Sequence, residues 1–222
     1  MPLCVDFLDF LMYDMAMRKE FDNFMNEQAK NYAAQAFEIE ANDVRATWEN
    51  MDKEAFAKAV DVLAKAERIA AAGCGHTGIA CQHFAHLMCC IERPARFISP
   101  AEAVHGATGY IQKGDVLLLA SRGGKTAELL PIMDIARGKG AIIISVTENL
   151  SSPLAQGSDI VLPMKITKET DKYNSQGTTS FIVTNAIFDA LQAALIEETG
   201  YRNEQFAVIH PGGAVGERLN KK

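Results

Sequence analysis

The residues best suited to chemistry stand in two glycine-rich turns, each directly after an apolar segment. The first turn, Gly73-Cys-Gly-His-Thr-Gly78, matches the dinucleotide pattern GxGxxG. Its glycines permit a tight turn in which backbone amides at a helix start approach a phosphate. A dinucleotide site also needs an acidic residue ending the second strand, where this chain has Ser99-Pro100. Phosphate binding through Gly75 and Thr77, NAD binding, and glycines that serve only packing remain alternatives.

The second turn is Ser121-Arg-Gly-Gly-Lys-Thr126. It imitates the end of a nucleotide P-loop, but that pattern requires glycine at position 119, where this chain has Leu119, so ATP hydrolysis is not supported. Hydroxyls and amides at a helix start suit a single phosphate, and two cations add charge-assisted hydrogen bonds. A solvated turn is the alternative. The predicted phosphate-binding residues are Ser121, Arg122, Gly123, Gly124, Lys125 and Thr126.

Two other segments combine titratable side chains with turns. Glu102 and His105 follow the second apolar segment, and His210 precedes Pro-Gly-Gly near the C-terminus. These side chains are candidates for general acid–base catalysis, with a structural hydrogen-bonding role as the alternative. His83 and His86 have helical i, i+3 spacing, but no carboxylate or cysteine clearly shares their face. We therefore predict no metal and no other cofactor.

The composition excludes several classes of partner. The net charge is −6, so no global positive field exists to gather nucleic acid or anionic membrane. The five cysteines form no CxxC pair and indicate reduced thiols in the cytoplasm. The apolar stretch 1–16 contains three aspartates and no basic region, so it does not fit a signal peptide. It is either a helix that docks on a partner subunit or a segment preceding a true start at Met17.

The surrounding elements predict an α/β fold. An amphipathic helix is expected over Arg18–Trp48, and Asp52 is a suitable N-cap for a second helix. Apolar runs then alternate with helical stretches, which is typical of a parallel sheet buried on both faces. A long helix over Thr178–Glu198 ends at Gly200. The predicted strands are Arg68–Ala72, Ala95–Ser99, Val116–Ala120, Ala141–Val146 and Ile160–Pro163.

Right-handed crossovers make this a doubly wound, five-stranded parallel sheet flanked by helices. In such a sheet, ligands bind in the crevice at the carboxyl ends of the strands. The two glycine-rich turns and the segment after Ser99 all lie there. No uninterrupted apolar run approaches the roughly 20 residues that a membrane helix needs.

Several motifs, taken in chain order, resemble the SIS (sugar isomerase) domain of arabinose 5-phosphate isomerases. They are GCGHTG, SPAEAVHG, GDVLLLASRGGKTAELL and, most specifically, the C-terminal FAVIHPGGAVGERL. The likeness runs from about Glu49 to Leu219. It implies the SIS fold for residues 49–222, with residues 1–48 as an N-terminal helical arm. Many family members continue into paired CBS domains, and this chain resembles the form without them.

The resemblance implies conversion of an aldose phosphate to a ketose phosphate through an enediolate. That reaction needs a general base, a proton donor to the ring oxygen and a phosphate anchor. By similarity, Glu169 is the base, and His210 assists ring opening in a neighbouring subunit's site. The other candidates for proton transfer are His76, His105 and Glu102. Relatives assemble as oligomers, so a homo-oligomer, most simply a tetramer, is expected.

The chain departs from the family pattern at three positions. His76 replaces a lysine, Gly123 a serine and Lys125 a glutamate. These changes leave the phosphosugar class intact and the identity of the sugar open. The cations Arg122 and Lys125 suit a more anionic substrate, such as a phosphorylated sugar acid. A non-catalytic phosphosugar sensor, and a lyase or deglycase on the same scaffold, are the alternative functions.

Overall fold

The N-terminal part of the fold is helical, as predicted. The computed structural model describes residues 24–221, so the stretch 1–16 and the start of the helix expected from Arg18 lie outside it. Helix α1 spans Glu27–Asn50, and the Asn26 side chain accepts a hydrogen bond from the Ala29 N–H at 2.8 Å. Helix α1 ends two residues later than the amphipathic pattern predicts, and the predicted start lies outside the described residues.

Helix α2, Lys53–Lys65, begins where the sequence predicts. The Asp52 carboxylate accepts hydrogen bonds from the N–H groups of Glu54 and Ala55, both at 3.0 Å. A carboxylate in this position satisfies free amides and favours the positive end of the helix dipole. The predicted N-cap is confirmed.

Within residues 24–221 there is one five-stranded sheet, and it is entirely parallel, in the order β2-β1-β3-β4-β5. Two strands have the predicted bounds, and two others lie one residue later. The second strand ends two residues early, because Ser99 caps a short helix that begins with Pro100. The strands are β1 Ile69–Gly73, β2 Ala95–Phe97, β3 Val116–Ala120, β4 Ile142–Thr147 and β5 Ile160–Pro163.

Helices cover both faces of the sheet, which confirms the doubly wound fold. Alternate strand residues point to opposite faces. Leu118 joins a core beneath α2, α3 and α7, whereas Leu117 joins a second core beneath α5. A 3₁₀ turn lies at Ala107–Tyr110. The remaining helices are α3 Gly75–Cys90, α4 Pro100–Ala103, α5 Leu130–Gly138, α6 Pro153–Gln156, α7 Thr179–Thr199, α8 Asn203–Ile209 and α9 Gly213–Asn220.

The strand order reverses between β1 and β3. The chain leaves β1 towards β2 on one side and leaves β3 towards β4 on the other, so a crevice opens between these two strands. Gly73 of β1 lies opposite Ala120 of β3 in the register. The two glycine-rich turns therefore leave the sheet side by side, at the topological switch point.

Helix α7 is the long helix predicted before Gly200. Gly200 has φ of 66° and ends it in the left-handed conformation. Among residues 24–221, α7 is also the one helix long and apolar enough to span a membrane, with a mean hydropathy of 1.4. Its apolar residues, including Phe188 and Leu191, pack into the core against the sheet.

Candidate functional site at the carboxyl edge of the sheet

The first glycine-rich turn is closed by backbone contact. A Cβ placed on Gly78 would lie 2.7 Å from the Gly73 carbonyl oxygen, and one on Gly73 would lie 2.7 Å from the Thr77 carbonyl oxygen. The Thr77 hydroxyl donates to the Cys74 carbonyl at 2.7 Å. Close packing of α3 on β1 thus accounts for Gly73 and Gly78. Gly75 has φ of 56° and open space around it.

The second turn is closed by side chains. The hydroxyls of Ser121 and Thr126 lie 2.8 Å apart, and the Gly124 N–H donates to the Ser121 hydroxyl at 3.2 Å. Gly124 has φ of 63°, and a Cβ there would overlap the Ser152 Oγ. No other residue fits this position without displacing Ser152. The turn therefore holds two hydroxyls in a defined place at the sheet edge.

The expectation that this turn opens directly into a helix was wrong. Helix α5 begins at Leu130, after an intervening turn in which the Leu129 N–H donates to the Thr126 carbonyl. Pro131 explains the later start, because proline has no N–H and is suited to the first turn of a helix. Gly123 and Lys125 are exposed at the tip of the glycine-rich turn.

Arg122 links three loops of the sheet edge. Its Nε donates to Glu148 Oε2 at 2.9 Å, and its Nη1 donates to Glu169 Oε1 at 2.6 Å. Its carbonyl oxygen accepts from the Thr147 hydroxyl and from the Glu148 N–H, both at 3.0 Å. Burial disfavours the charged guanidinium, but the bonds and charges of the two carboxylates outweigh that cost and raise the pKa of Arg122.

Glu169, which the family resemblance implies as the base, follows β5 at the carboxyl edge of the sheet, and only 4% of it is exposed. Its Oε2 accepts from the Thr178 hydroxyl at 3.3 Å and from the Ser180 N–H at 3.2 Å. Ser180 lies in the first turn of α7, so the positive end of that helix faces the carboxylate. Together with Arg122, these groups stabilise a buried carboxylate.

The loop that follows Glu169 is also ordered by side chains. The Asn174 Oδ1 accepts the Glu169 N–H at 2.6 Å, and Asn174 has φ of 55°. The Asp171 carboxylate accepts backbone N–H groups, most strongly that of Gln176 and then that of Ser175, and these bonds lower its pKa. From composition alone, Glu169, which is flanked by Lys168, Asp171 and Lys172, would be an ordinary solvated loop charge. The Asp and Asn that favour turns at this spacing are the signal that could have identified the loop.

Of the other predicted site residues, His76 lies near the Arg122–Glu169 group, whereas Glu102 and His105 do not. A Cβ on Gly177 would lie 3.0 Å from His76 Nδ1, so the His76 ring lies against the loop that carries Glu169. Glu102 and His105 are exposed after β2. Within residues 24–221 their side chains form no hydrogen bond and no ion pair with the Arg122–Glu169 group.

His210 lies at the other edge of the sheet within its own chain. It follows α7, whose 21 residues cover about 30 Å from the Glu169 end. Phe206 lines a cavity with Cys90 and Ile91 at the end of α3, and its ring contacts the His210 ring in a tilted arrangement with centroids 4.9 Å apart. The His210 Nδ1 is buried and has no hydrogen-bond partner within residues 24–221. Within its own chain, His210 is therefore too far from Glu169 to act with it.

The histidines and cysteines form no recognisable metal centre in the described part of the chain, where no three His, Cys, Asp or Glu side chains group together. His83 pairs instead with Asp189 at 3.6 Å, and His86 contacts Cys90 at 3.5 Å. Burial, and then the charge of Glu128, raises the pKa of the Cys74 thiol above its ordinary value. A protonated thiol is a poor nucleophile, so Cys74 is not activated for covalent catalysis.

A polar crevice at a switch point, with hydroxyls, an arginine and a buried carboxylate, agrees with the comparison to protein families. The family model for the SIS domain matches residues 62–194. The chain belongs to the SIS domain family. The matched part contains both glycine-rich turns, Glu169 and most of α7.

Three proteins similar to this SIS chain are named as sugar-phosphate isomerases or bind a sugar phosphate. It is 38% identical to the arabinose 5-phosphate isomerase KdsD of Pseudomonas aeruginosa, over 74% of this chain and 51% of that protein. A Listeria monocytogenes structure, provisionally assigned as a sugar-phosphate isomerase, is 41% identical with a TM-score of 0.81 and covers 85% of this chain and 100% of its own. An Escherichia coli structure in complex with arabinose 5-phosphate is 28% identical with a TM-score of 0.77 over 84% and 100%.

The chain spans about half the length of the curated relatives that it matches. The two solved structures, in contrast, are covered over their whole length.

Proposed function

We propose that this SIS protein is a phosphosugar aldose–ketose isomerase of the arabinose 5-phosphate isomerase type. The observation that carries the proposal is the buried Glu169 carboxylate, 2.6 Å from Arg122 and next to a turn that presents two hydroxyls. A carboxylate is a suitable base for moving a proton between C1 and C2, provided that the sugar is held within reach. The similarity to KdsD and to the Escherichia coli sugar-phosphate complex supports the same reaction class.

The phosphate is expected at the second turn. The hydroxyls of Ser121 and Thr126 would contact it, and exposed Lys125 would add a charge. Lys125 has no ion-pair partner within residues 24–221, whereas the charge of Arg122 is already balanced by two carboxylates. A second anionic group on the sugar would therefore be met by Lys125 more readily than by Arg122. His76, whose ring lies against the loop that carries Glu169, is a further candidate for proton transfer.

The decisive experiment replaces the Glu169 carboxylate by an amide of the same size and shape. A panel of sugar phosphates is first tested by thermal shift, because binding raises apparent stability. For a sugar that binds and is isomerised, Glu169→Gln should lower kcat by about 10²–10⁴-fold and leave binding intact. The matched control is Glu148→Gln, which removes the other carboxylate that pairs with Arg122. Equal activity of wild type and Glu169→Gln would refute the assignment of the base.

A second function is favoured by one observation. Both oxygens of Glu169 are engaged, by Arg122 on one side and by Thr178 and Ser180 on the other. A base must release at least one of these bonds, whereas a non-catalytic phosphosugar sensor would keep them all. Solvent proton exchange at C2 of the bound sugar separates the two functions. Binding without exchange, for every sugar that binds, would favour the sensor.

We infer that the protein acts as a homo-oligomer, a tetramer, in the cytoplasm. His210 lies at the far end of α7 from the site, so it can assist only in the site of another subunit. Aromatic side chains on α1 are open to solvent, with Phe37 80% and Trp48 50% exposed, and such a surface is typical of an interface. The described cysteines are free thiols, as expected in a reducing compartment.

Mixed oligomers test this inference. Glu169→Gln and His210→Ala subunits, inactive separately, should regain part of the activity when refolded together, because some sites then combine two intact residues. Sedimentation at micromolar concentration should show no dominant monomer. A monomer with full activity would exclude the role of His210 in a neighbouring site. The division into an arm at 1–48 and a domain at 49–222 is retained as a proposal, with the observation that α1 continues to Asn50.

A further inference from the structure

Helix α1 is mostly exposed but buries two polar side chains. Asp43 is 1% exposed and Thr47 is 4% exposed. An aspartate is almost never fully buried unless its charge is satisfied by partners. The partners of these two residues therefore indicate what the helix does.

Both residues bind the segment that leads from β5 to Glu169. The Asp43 carboxylate accepts the Thr167 N–H at 2.7 Å and the Thr167 hydroxyl at 2.9 Å. The Thr47 hydroxyl donates to the Lys165 carbonyl at 3.2 Å and accepts from the Lys165 N–H at 3.0 Å. The backbone just before Glu169 is thus held by side chains of a helix more than a hundred residues earlier in the chain.

The distance between Asp43 and Thr47 along α1 matches the distance between their partners, Thr167 and Lys165, along the chain. Four helical residues, from Asp43 to Thr47, rise by about 6 Å. Two extended residues, from Lys165 to Thr167, cover about 6.6 Å. The next residue on the same helix face is Glu40, which by this spacing comes beside Glu169. Burial first, and then the charge of Glu169, raises the pKa of Glu40, as expected if the two carboxylates are neighbours.

We propose that α1 is a positioning element of the site, in which Asp43 and Thr47 hold residues 165–169 so that the Glu169 carboxylate meets Arg122 and the substrate. This role rests on the proposed isomerase function. Helix α1 lies outside residues 62–194, which the family model matches. Asp43 and Thr47 act through Glu169 and touch neither the phosphate turn nor the base itself.

The alternative is that these bonds only attach α1 to the domain. A purely structural role would lower stability and leave the turnover of folded enzyme unchanged. A positioning role changes turnover at constant substrate binding, because a displacement of about 1 Å at a catalytic group can cost about 10²-fold in rate. The split between kcat and KM therefore separates the two.

The test uses the full chain with Asp43→Asn, Thr47→Val and Thr47→Ser. We expect Asp43→Asn to lower kcat by about 10²-fold with KM within about 2-fold of wild type. Thr47→Val should lower kcat less, and Thr47→Ser should restore it because the hydroxyl returns. Glu49→Gln, an exposed change on the same helix, is the matched control. If Asp43→Asn does not fold, the comparison of Thr47→Val with Thr47→Ser decides the test.

Amide hydrogen exchange supplies a readout independent of activity. In Asp43→Asn the N–H groups of Thr167 and Glu169 should exchange faster, while those of β3 keep their protection. Unchanged exchange at residues 167–169, or a kcat equal to that of Glu49→Gln, would overturn the proposal. If wild type turns over no sugar phosphate, the isomerase function fails, and the exchange experiment still decides whether α1 holds this segment.

Discussion

The two glycine-rich turns leave neighbouring strands at the same level of the sheet, yet they are built in different ways. The turn at 73–78 is closed by backbone packed on backbone, with no space for a Cβ at Gly73 or Gly78. The turn at 121–126 is closed by hydroxyls and carries Arg122, which ties it to two carboxylates. Glycine spacing in the first turn is explained by packing, whereas the hydroxyls and charges in the second turn suit the proposed phosphate ligand.

This difference implies a division of labour at the switch point. The first turn fixes α3 against β1 and contributes one side chain, His76, towards the Glu169 loop. The second turn presents polar groups to the crevice and connects them to Glu169. Changes in the first turn should therefore affect stability and leave binding unchanged, whereas loss of a hydroxyl in the second turn should weaken binding. Four predictions test that separation, in order of expected effect.

The largest effect is expected at Gly124, where the second turn is packed most tightly. Gly124→Ala should destabilise the protein by about 3 kcal/mol, because it combines a left-handed φ with overpacking against Ser152. Urea denaturation measures the loss. Gly123→Ala is the control, since nothing lies within 4 Å of a Cβ there. Equal midpoints for both variants would show that the turn rearranges freely.

In the first turn, Gly78→Ala should cost about 2 kcal/mol of stability, because its Cβ would press on the Gly73 carbonyl. The control is Gly138→Ala in α5, which has open space and should gain slightly from helix propensity. Phosphosugar affinity, measured by calorimetry at a temperature where the variant is folded, should stay unchanged. A loss of affinity in Gly78→Ala would mean that the first turn also binds the ligand.

The third prediction compares one hydroxyl from each turn. Ser121→Ala should weaken sugar-phosphate binding by about 10-fold, the effect of losing roughly one hydrogen bond to a charged group. Thr77→Val should leave affinity unchanged, because the Thr77 hydroxyl is already donated to Cys74. Titration calorimetry of both variants with the same ligand provides the measurement. Similar losses for the two would remove the distinction between the turns.

The smallest effect concerns the charge near Glu169. The folded-state pKa of Glu40 is raised, so the ionised form costs stability; that cost is absent below the unfolded pKa and appears as pH rises through the folded pKa. Glu40→Gln should therefore stabilise the protein relative to wild type near about pH 8 and not near about pH 4, by about 0.5 kcal/mol after solvent screening.

Denaturation at both pH values, in wild type and in a Glu169→Gln background, checks this prediction. The benefit of Glu40→Gln should shrink when Glu169 is neutral, because part of the shift comes from that charge. A benefit of equal size in both backgrounds would leave burial as the only cause. A benefit only at low pH would contradict the assigned sign.

Much of the fold could be predicted, because the apolar run of β3 indicates burial on both faces. The strand β2 was predicted two residues too long, because Ser99 and Pro100 begin a short helix there. For the site, Glu169 came from the family resemblance and not from its own neighbourhood of charges. Glu148 was missed because its partner, Arg122, is remote in the sequence. Asn174 was missed because its contact with Glu169 depends on a left-handed backbone conformation.

The amino-acid sequence by itself determined what is local: where strands, caps and turns begin, and which turn carries hydroxyls and cations. These properties depend on side-chain period, on backbone freedom at glycine and on the hydrogen-bonding groups of neighbouring residues. Only the tertiary structure decided which distant loops meet. Sheet order brings Arg122 and Glu169 together across 47 residues. The length of α7 places His210 at the opposite edge, because a straight helix separates its two ends by about 1.5 Å per residue.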